Sequence, residues 1–114
     1  MDIRIISKPI TRSEALKIGK EFYGEMVKGV VDIEEEIIAL GGEYHMDANM
    51  VLIGEGYKQI NIWGFNIYPN SLEKDWIEYT SLINIRPQAN NRTMTVENKE
   101  IRDKMKKIIE KLII

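Results

Sequence analysis

The sequence predicts an α+β fold: a largely antiparallel β-sheet of about five strands, covered on one side by two long helices and one short helix. β-rich and helical segments alternate along the chain. The connections between neighbouring β-rich segments are too short for the crossover that parallel strands require. With 44% hydrophobic and 30% charged residues, the 114-residue chain is expected to form one globular domain, residues 1–114, around one core.

A strand and a long helix are predicted first. Residues 3–6 form a short isoleucine-rich run with strand character. Thr11 and Glu14 then have the spacing of a capping box, which starts a helix. Apolar residues recur at helical spacing as far as Met26, so this helix is expected to end near residues 28–29.

A hairpin and a short helix follow. Residues 30–33 and 37–40 are β-rich and are separated by a glutamate-rich turn, which predicts a hairpin. Asp47 is expected to cap a short helix over residues 48–53.

The second half predicts a long hairpin and a final helix. Strands over residues 62–68 and 76–86 are joined by a turn-prone stretch, and residue 87 is a proline that ends the second strand. In a register where paired residue numbers sum to about 144, one face collects apolar side chains. They are Trp63, Phe65, Ile67, Ile77, Tyr79 and Ile83. From Asn98 an apolar stripe predicts a C-terminal helix.

Charge is segregated along the chain. Residues 29–57 contain seven of the 18 acidic side chains and none of the 16 basic ones. That segment is therefore net −7 and the remainder net +5, although the whole chain is −2. A stretch of one sign attracts cations or a basic partner, and complementary surfaces of opposite sign predict self-association as one option.

The acidic segment contains the candidate metal ligands. Glu43, His45 and Asp47 alternate, so an extended chain would project them to one side, and Asp32 could add an oxygen across the hairpin. Because the chain has no cysteine, the ligands would be oxygens and at most one imidazole, which favours Mg²⁺, Ca²⁺ or Mn²⁺. His45, with an ordinary pKa near 6.5, is also the candidate general base.

A second candidate polar site lies later in the chain and comprises Asn66, Glu78, Asn84, Arg86 and Arg92. Arg86 and Arg92 flank a loop rich in amide and hydroxyl groups, which suits a carboxylate, a phosphate or an RNA backbone. The alternative is structural: Arg86 ends a strand and pairs with a carboxylate of the acidic segment. The sequence pI of about 5.5 argues against a nucleic-acid binder.

Trp76 and Gly64 in the predicted hairpin are two further candidates for contact with a partner or a ligand. Trp76 is opposite in phase to Ile77, so it is expected to be exposed or to lie at an interface with a protein partner or a second copy. Gly64 lies in mid-strand, which indicates a bulge or the close approach of another segment or a ligand.

Location follows from what the sequence does not contain. No apolar run reaches the roughly 18 to 20 residues needed to cross a bilayer, so no membrane insertion is expected. The first residues lack the basic start and apolar middle of a signal peptide. A cytoplasmic protein is expected.

Four stretches resemble a family of small bacterial and archaeal proteins known only as a domain of unknown function. They are residues 30–33, 39–48, 63–69 and 81–87. The resemblance implies a stand-alone domain and carries no activity, substrate or cofactor.

Taken together, the sequence favours a non-enzymatic binding or protein-interaction domain with a polar, acidic site. The alternative is a metal-assisted hydrolase acting on a phosphate or a similar ester. The chain has one histidine and no cysteine, so the common nucleophilic and zinc-protease motifs are absent.

Overall fold

The computed structural model describes residues 2–114, and within them it contains five strands and three α-helices. In chain order these are β1 Arg4–Ile6, α1 Arg12–Gly19, β2 Val27–Asp32, β3 Ile37–Leu40, α2 His45–Gly54, β4 Ile62–Ile67, β5 Ile77–Glu78 and α3 Lys99–Leu112. The strands form one sheet in the order β1-β3-β2-β4-β5, and each neighbouring pair is antiparallel. The predicted α+β fold is confirmed.

Helices cover both faces of the sheet, so the predicted one-sided cover is wrong. Alternate residues of β2 point to opposite faces, as strand geometry requires. Val27 and Val31 belong to the larger core, to which α1 and α3 contribute, whereas Val30 packs in a smaller core beneath Ala48 and Leu52 of α2. We call the α1 and α3 side the first face and the α2 side the second face.

The first helix is much shorter than predicted. The Thr11–Glu14 capping box is present, with the Glu14 amide donating to Thr11 Oγ1 at 3.1 Å. The helix nevertheless ends at Gly19, where a side chain would meet Val27 Cγ2 at 2.6 Å. Pairing of β2 with β3 and β4, together with complete burial of Val27, overrides the helical spacing beyond Gly19.

The predicted register of the second hairpin is confirmed, but its length is not. Asn66 pairs with Glu78 and Ile67 with Ile77. Beyond Glu78 the chain leaves the sheet and forms a 3₁₀ turn, Leu82–Asn84. Ile83 therefore packs against the smaller core, and not with the first-face residues as predicted.

Trp76 is buried, at 2% exposure, which contradicts the expected exposed or interface position. It packs in the larger core, and the Arg12 guanidinium lies 3.8 Å from its ring centroid. β5 has only two residues and begins at Ile77, so Trp76 lies outside the strand and the alternation on which that expectation rested does not apply to it.

The C-terminal helix matches the prediction. Asn98 caps it, because its side chain accepts a hydrogen bond from the Ile101 amide at 3.1 Å.

Among residues 2–114, no helix combines the length and the apolar composition needed to cross a bilayer.

Candidate functional site

A cleft of about 590 Å³ opens on the second face, beside the first turn of α2. Its apolar walls include Met26, Met46, Leu82, Ile83 and Met94. Its polar groups come from Lys28, His45, Asn66, Thr80 and Ser81. This size, with mostly apolar walls and a few convergent polar groups, is typical of small-molecule sites.

His45 is the first residue of α2 and forms one wall of the cleft. Its Nε2 lies 2.9 Å from the carbonyl oxygen of Phe65 and 2.8 Å from Asn66 Oδ1, so the helix is tied to β4. Burial lowers the pKa of His45 below 6.5, the hydrogen bond to Phe65 opposes this shift, and nearby Lys28 adds to it. The imidazole is therefore neutral at neutral pH.

Asn66 links His45 to the edge strand. Its Nδ2 donates to Glu78 Oε1 at 3.3 Å and to the Thr80 carbonyl at 3.4 Å. Glu78 Oε1 also accepts from the Tyr68 hydroxyl at 3.0 Å. The structure thus brings together His45, from the predicted metal set, with Asn66 and Glu78, from the predicted polar set.

Lys28 supplies the cation of the cleft. It is opposite Asn66 in the register of β2 and β4, so both side chains lie on the second face. Its ammonium is 5.1 Å from the centroid of the Tyr23 ring and 5.8 Å from that of Tyr44. Among the residues that the structure describes, Lys28 forms no ion pair. Its charge is therefore available to an anion.

Asn84 has a structural role. It is fully buried, its Oδ1 accepts from the Gly64 amide at 2.8 Å, and its Nδ2 donates to the Gly64 carbonyl at 3.0 Å. The side chain thus replaces the strand partner that β5 is too short to provide. The segment after β5 packs tightly against Gly64 of β4. A side chain at Gly64 would meet Ser81 Cβ at 2.5 Å. The predicted close approach is confirmed.

Arg86 also holds the fold, but not through a carboxylate. Its guanidinium donates to the carbonyl oxygens of Ile83 at 3.2 Å and Gln59 at 3.1 Å, and it also donates to that of Ile62. It stacks 4.1 Å from the Trp63 ring centroid, and burial lowers its pKa below the ordinary value. The structural interpretation of Arg86 thus agrees with the geometry, with carbonyls in place of the expected acid.

The loop that follows is organised by its backbone and by Asn91. The buried Asn91 donates to the carbonyls of Asn84, Thr93 and Thr95 at 2.8 to 3.0 Å. Arg92 is exposed, and its amide donates to Glu97 Oε2 at 2.9 Å. Arg92 lies outside the residues that line the cleft.

Asp32 lies far from the cleft, at the other end of β2. It is four positions beyond Lys28, a distance of about 13 Å along the strand. It is fully buried, and Oδ1 accepts from the amides of Glu34 and Glu35, both at 2.9 Å. Its Oδ2 is buried without a hydrogen-bond partner.

The remaining two predicted metal ligands lie near the start of α2. Glu43 is exposed, and its carbonyl accepts from the Tyr23 hydroxyl at 2.5 Å. Asp47 is not the N-cap residue as predicted, because α2 begins three residues earlier than expected and Tyr44 is the N-cap; Asp47 is the third residue of the helix, and its Oδ2 accepts from the Tyr44 amide at 2.9 Å. Within residues 2–114, no three His, Asp or Glu side chains are grouped closely enough to hold a metal ion. Metal binding stays a prediction.

A family model matches residues 4–112. The chain belongs to DUF5674, a family of proteins of unknown function. The resemblance drawn from the sequence is thereby confirmed. No curated protein and no solved structure matches the chain. Membership of DUF5674 therefore assigns no reaction or ligand to the cleft.

Sequence reasoning about this DUF5674 protein missed Lys28 and the apolar walls. The sequence predicts Lys28 in the last turn of the first helix, as an ordinary surface residue. In the structure it lies in β2. A signal was present, because the β-branched residues Val27, Val30 and Val31 around it favour a strand. Met46, Leu82 and Met94 carry no such signal, since only the folded chain brings them to one cavity.

Proposed function

We propose that this protein is a binding domain for a small molecule that has an apolar body and one acidic group. The observation that carries the proposal is the cleft of about 590 Å³ in which Lys28, which has no ion-pair partner among residues 2–114, lies beside His45 and Asn66 and is surrounded by apolar walls. The walls would bury the apolar body, and the ammonium would meet the acid.

Exposed apolar side chains in the walls of the cleft support this interpretation. Met46 is 50% exposed and Leu82 is 71% exposed, although both are large apolar side chains. Methionine is flexible and polarisable, so it fits irregular apolar ligands. A ligand that covers these two side chains would remove apolar surface from water, which is the main source of binding energy in such sites.

Decanoate is a suitable probe, with decanol as the uncharged match. Calorimetry should show that decanoate binds about tenfold more tightly than decanol, because only the acid pairs with Lys28. Lys28→Met should remove this preference. Lys58→Met, at an exposed lysine outside the cleft, is the matched control and should retain it. Failure of both ligands to bind at millimolar concentration would end the proposal.

A second candidate is favoured by one specific observation, the unpartnered Oδ2 of Asp32. Asp32 lines a groove of about 350 Å³ together with Glu35, Glu55 and Asn61. Because no three carboxylates of the described residues are grouped closely enough to surround an ion, a Mg²⁺, Ca²⁺ or Mn²⁺ ion beside this oxygen would take its remaining ligands from water. It would also supply the Lewis acid that a phosphate-ester hydrolase needs.

Thermal melting with each divalent ion tests this candidate. An ion that binds only the folded chain should raise the melting temperature as its concentration rises. Asp32→Asn should remove that rise, since an amide is a weaker ligand than a carboxylate. An unchanged melting temperature at millimolar ion would exclude the candidate.

A further inference from the structure

We propose that His45 recognises a hydrogen-bond donor on the ligand, so that the cleft takes a hydroxylated carboxylic acid with an apolar chain. The inference rests on the proposed binding function and narrows its ligand class. It concerns the ring nitrogen of His45 that the fold leaves unused.

The contacts of Nε2 fix the tautomer of His45. The Phe65 carbonyl can only accept a hydrogen bond, so Nε2 must carry the proton. Asn66 agrees with this assignment. Its Nδ2 faces two acceptors, Glu78 Oε1 and the Thr80 carbonyl, which leaves Oδ1 to accept from Nε2.

Burial favours the neutral ring, and the positive charge of Lys28 in β2 adds to this effect. Glu78 in β5 is hydrogen-bonded to the Asn66 amide, and among the described residues no carboxylate pairs with the ring. On α2 itself, the Asp47 carboxylate is engaged with the Tyr44 amide. The 3₁₀ turn Leu82–Asn84 contributes no titratable group. A neutral ring protonated at Nε2 offers Nδ1 as a hydrogen-bond acceptor.

Nδ1 has no partner among residues 2–114, yet it is open to solvent. Within that described range, Asp32 Oδ2 is the only fully buried side-chain nitrogen or oxygen without a hydrogen bond. Nδ1 must therefore retain contact with water. His45 is 8% exposed and is one of the residues that line the cleft, which is the space where a ligand can meet this nitrogen.

A wholly apolar ligand would cover Nδ1 and leave its lone pair unsatisfied, which is unfavourable for a buried acceptor. A ligand hydroxyl would donate to it instead. Lys28 is the cross-strand neighbour of Asn66, and Asn66 is hydrogen-bonded to His45, so one ligand that reaches both would carry its hydroxyl a few bonds from its carboxylate. A 2-hydroxy or 3-hydroxy acid meets that requirement.

Calorimetry with decanoate, 2-hydroxydecanoate and 3-hydroxydecanoate tests the inference. One hydroxy acid should bind the unmodified protein about tenfold more tightly than decanoate. His45→Gln keeps an amide donor at the position of Nε2 and removes the acceptor at Nδ1, so it should reduce the difference to below about twofold. A preference that persists in this variant would contradict the role of His45.

The unmodified protein gives an independent measurement that needs no variant. His45 is the only histidine, so ¹⁵N-histidine labelling yields one unambiguous pair of ring signals. The Nδ1 signal should move on addition of the hydroxy acid and move far less with decanoate. Equal affinity for all three acids would overturn the inference and leave the binding function intact. Binding of none would overturn both.

Discussion

Polar residues of the cleft and of the segment after β5 have two different roles. Asn84, Arg86 and Asn91 direct nearly all of their hydrogen bonds at backbone groups, and they hold the segment after β5 against the sheet. Lys28 and His45 instead line a cavity, and within the described part of the chain Lys28 has no ion-pair partner. A polar group that has no hydrogen-bond or ion-pair partner in the protein indicates a ligand site more strongly than a group whose hydrogen bonds are all made within the protein.

Arg86→Ala should lower the free energy of unfolding by about 2 to 4 kcal/mol, because it leaves several carbonyls without a donor. Arg86→Lys should also destabilise the fold, since a single ammonium cannot reproduce the planar fork. Urea denaturation measures both changes. Arg92→Ala is the matched control and should stay within about 0.5 kcal/mol of the unmodified protein. A similarly small change at Arg86 would contradict its structural role.

His45 predicts a specific dependence of stability on pH. Its pKa in the folded state lies below the unfolded value of 6.5, so the unfolded chain binds the proton more readily. The stability that His45 contributes is therefore present above pH 6.5 and is lost as the pH falls through 6.5 toward the folded pKa.

Thermal melting between about pH 5 and about pH 8 should show this loss at the acid end. His45→Gln has no group that titrates in this range, so its melting temperature should vary less. Equal slopes for the two proteins would show that His45 does not couple to folding.

At the level of elements, β4 is the strand on which the site is built. It pairs with all six residues of β2 on one side but with only two residues of β5 on the other. Asn84 completes the second side through the backbone of Gly64. The departure of the chain after Glu78 brings Thr80, Ser81 and Leu82 over the second face, where they form a wall of the cleft.

Gly64→Ala should therefore destabilise the protein by about 3 kcal/mol, because the new methyl would overlap the Ser81 side chain at 2.5 and 2.7 Å. Chemical denaturation measures the change. Gly54→Ala is the control: it adds the same methyl in α2, where nothing lies within 4 Å, and should stabilise by about 0.5 kcal/mol. Similar effects at both positions would contradict the close approach.

On the scale of the whole molecule, the acidic segment does not form one site. α2 crosses the second face, with His45 at the cleft and Gly54 at its other end. Asp32 lies at the opposite end of β2 from Lys28, in a separate groove. The clustering of charge along the sequence is thus divided between two places on the surface.

Self-association stays a prediction, and the buried Trp76 no longer offers a surface for it. Pairing of acidic and basic surfaces would produce a dimer at about 50 mM salt that dissociates at about 500 mM, because salt screens exposed charges. Light scattering should then show about twice 13.3 kDa falling to 13.3 kDa. A monomer under both conditions would contradict the prediction.

The sequence by itself determined the α+β class, the Thr11–Glu14 capping box, the register of β4 with β5 and the identity of several site residues. These depend on local signals: side-chain spacing, caps and alternation. It also named His45, Asn66 and Glu78, but it assigned them to two separate sites.

Only the tertiary structure decided that Lys28 belongs to a strand, that helices cover both faces and that the chain leaves the sheet after Glu78. Each outcome depends on contacts between residues distant in sequence, such as Val27 with Gly19 and Asn84 with Gly64. Burial and pairing free energies at such contacts exceed local propensity, and a cleft formed by five separate segments leaves no pattern in any one of them.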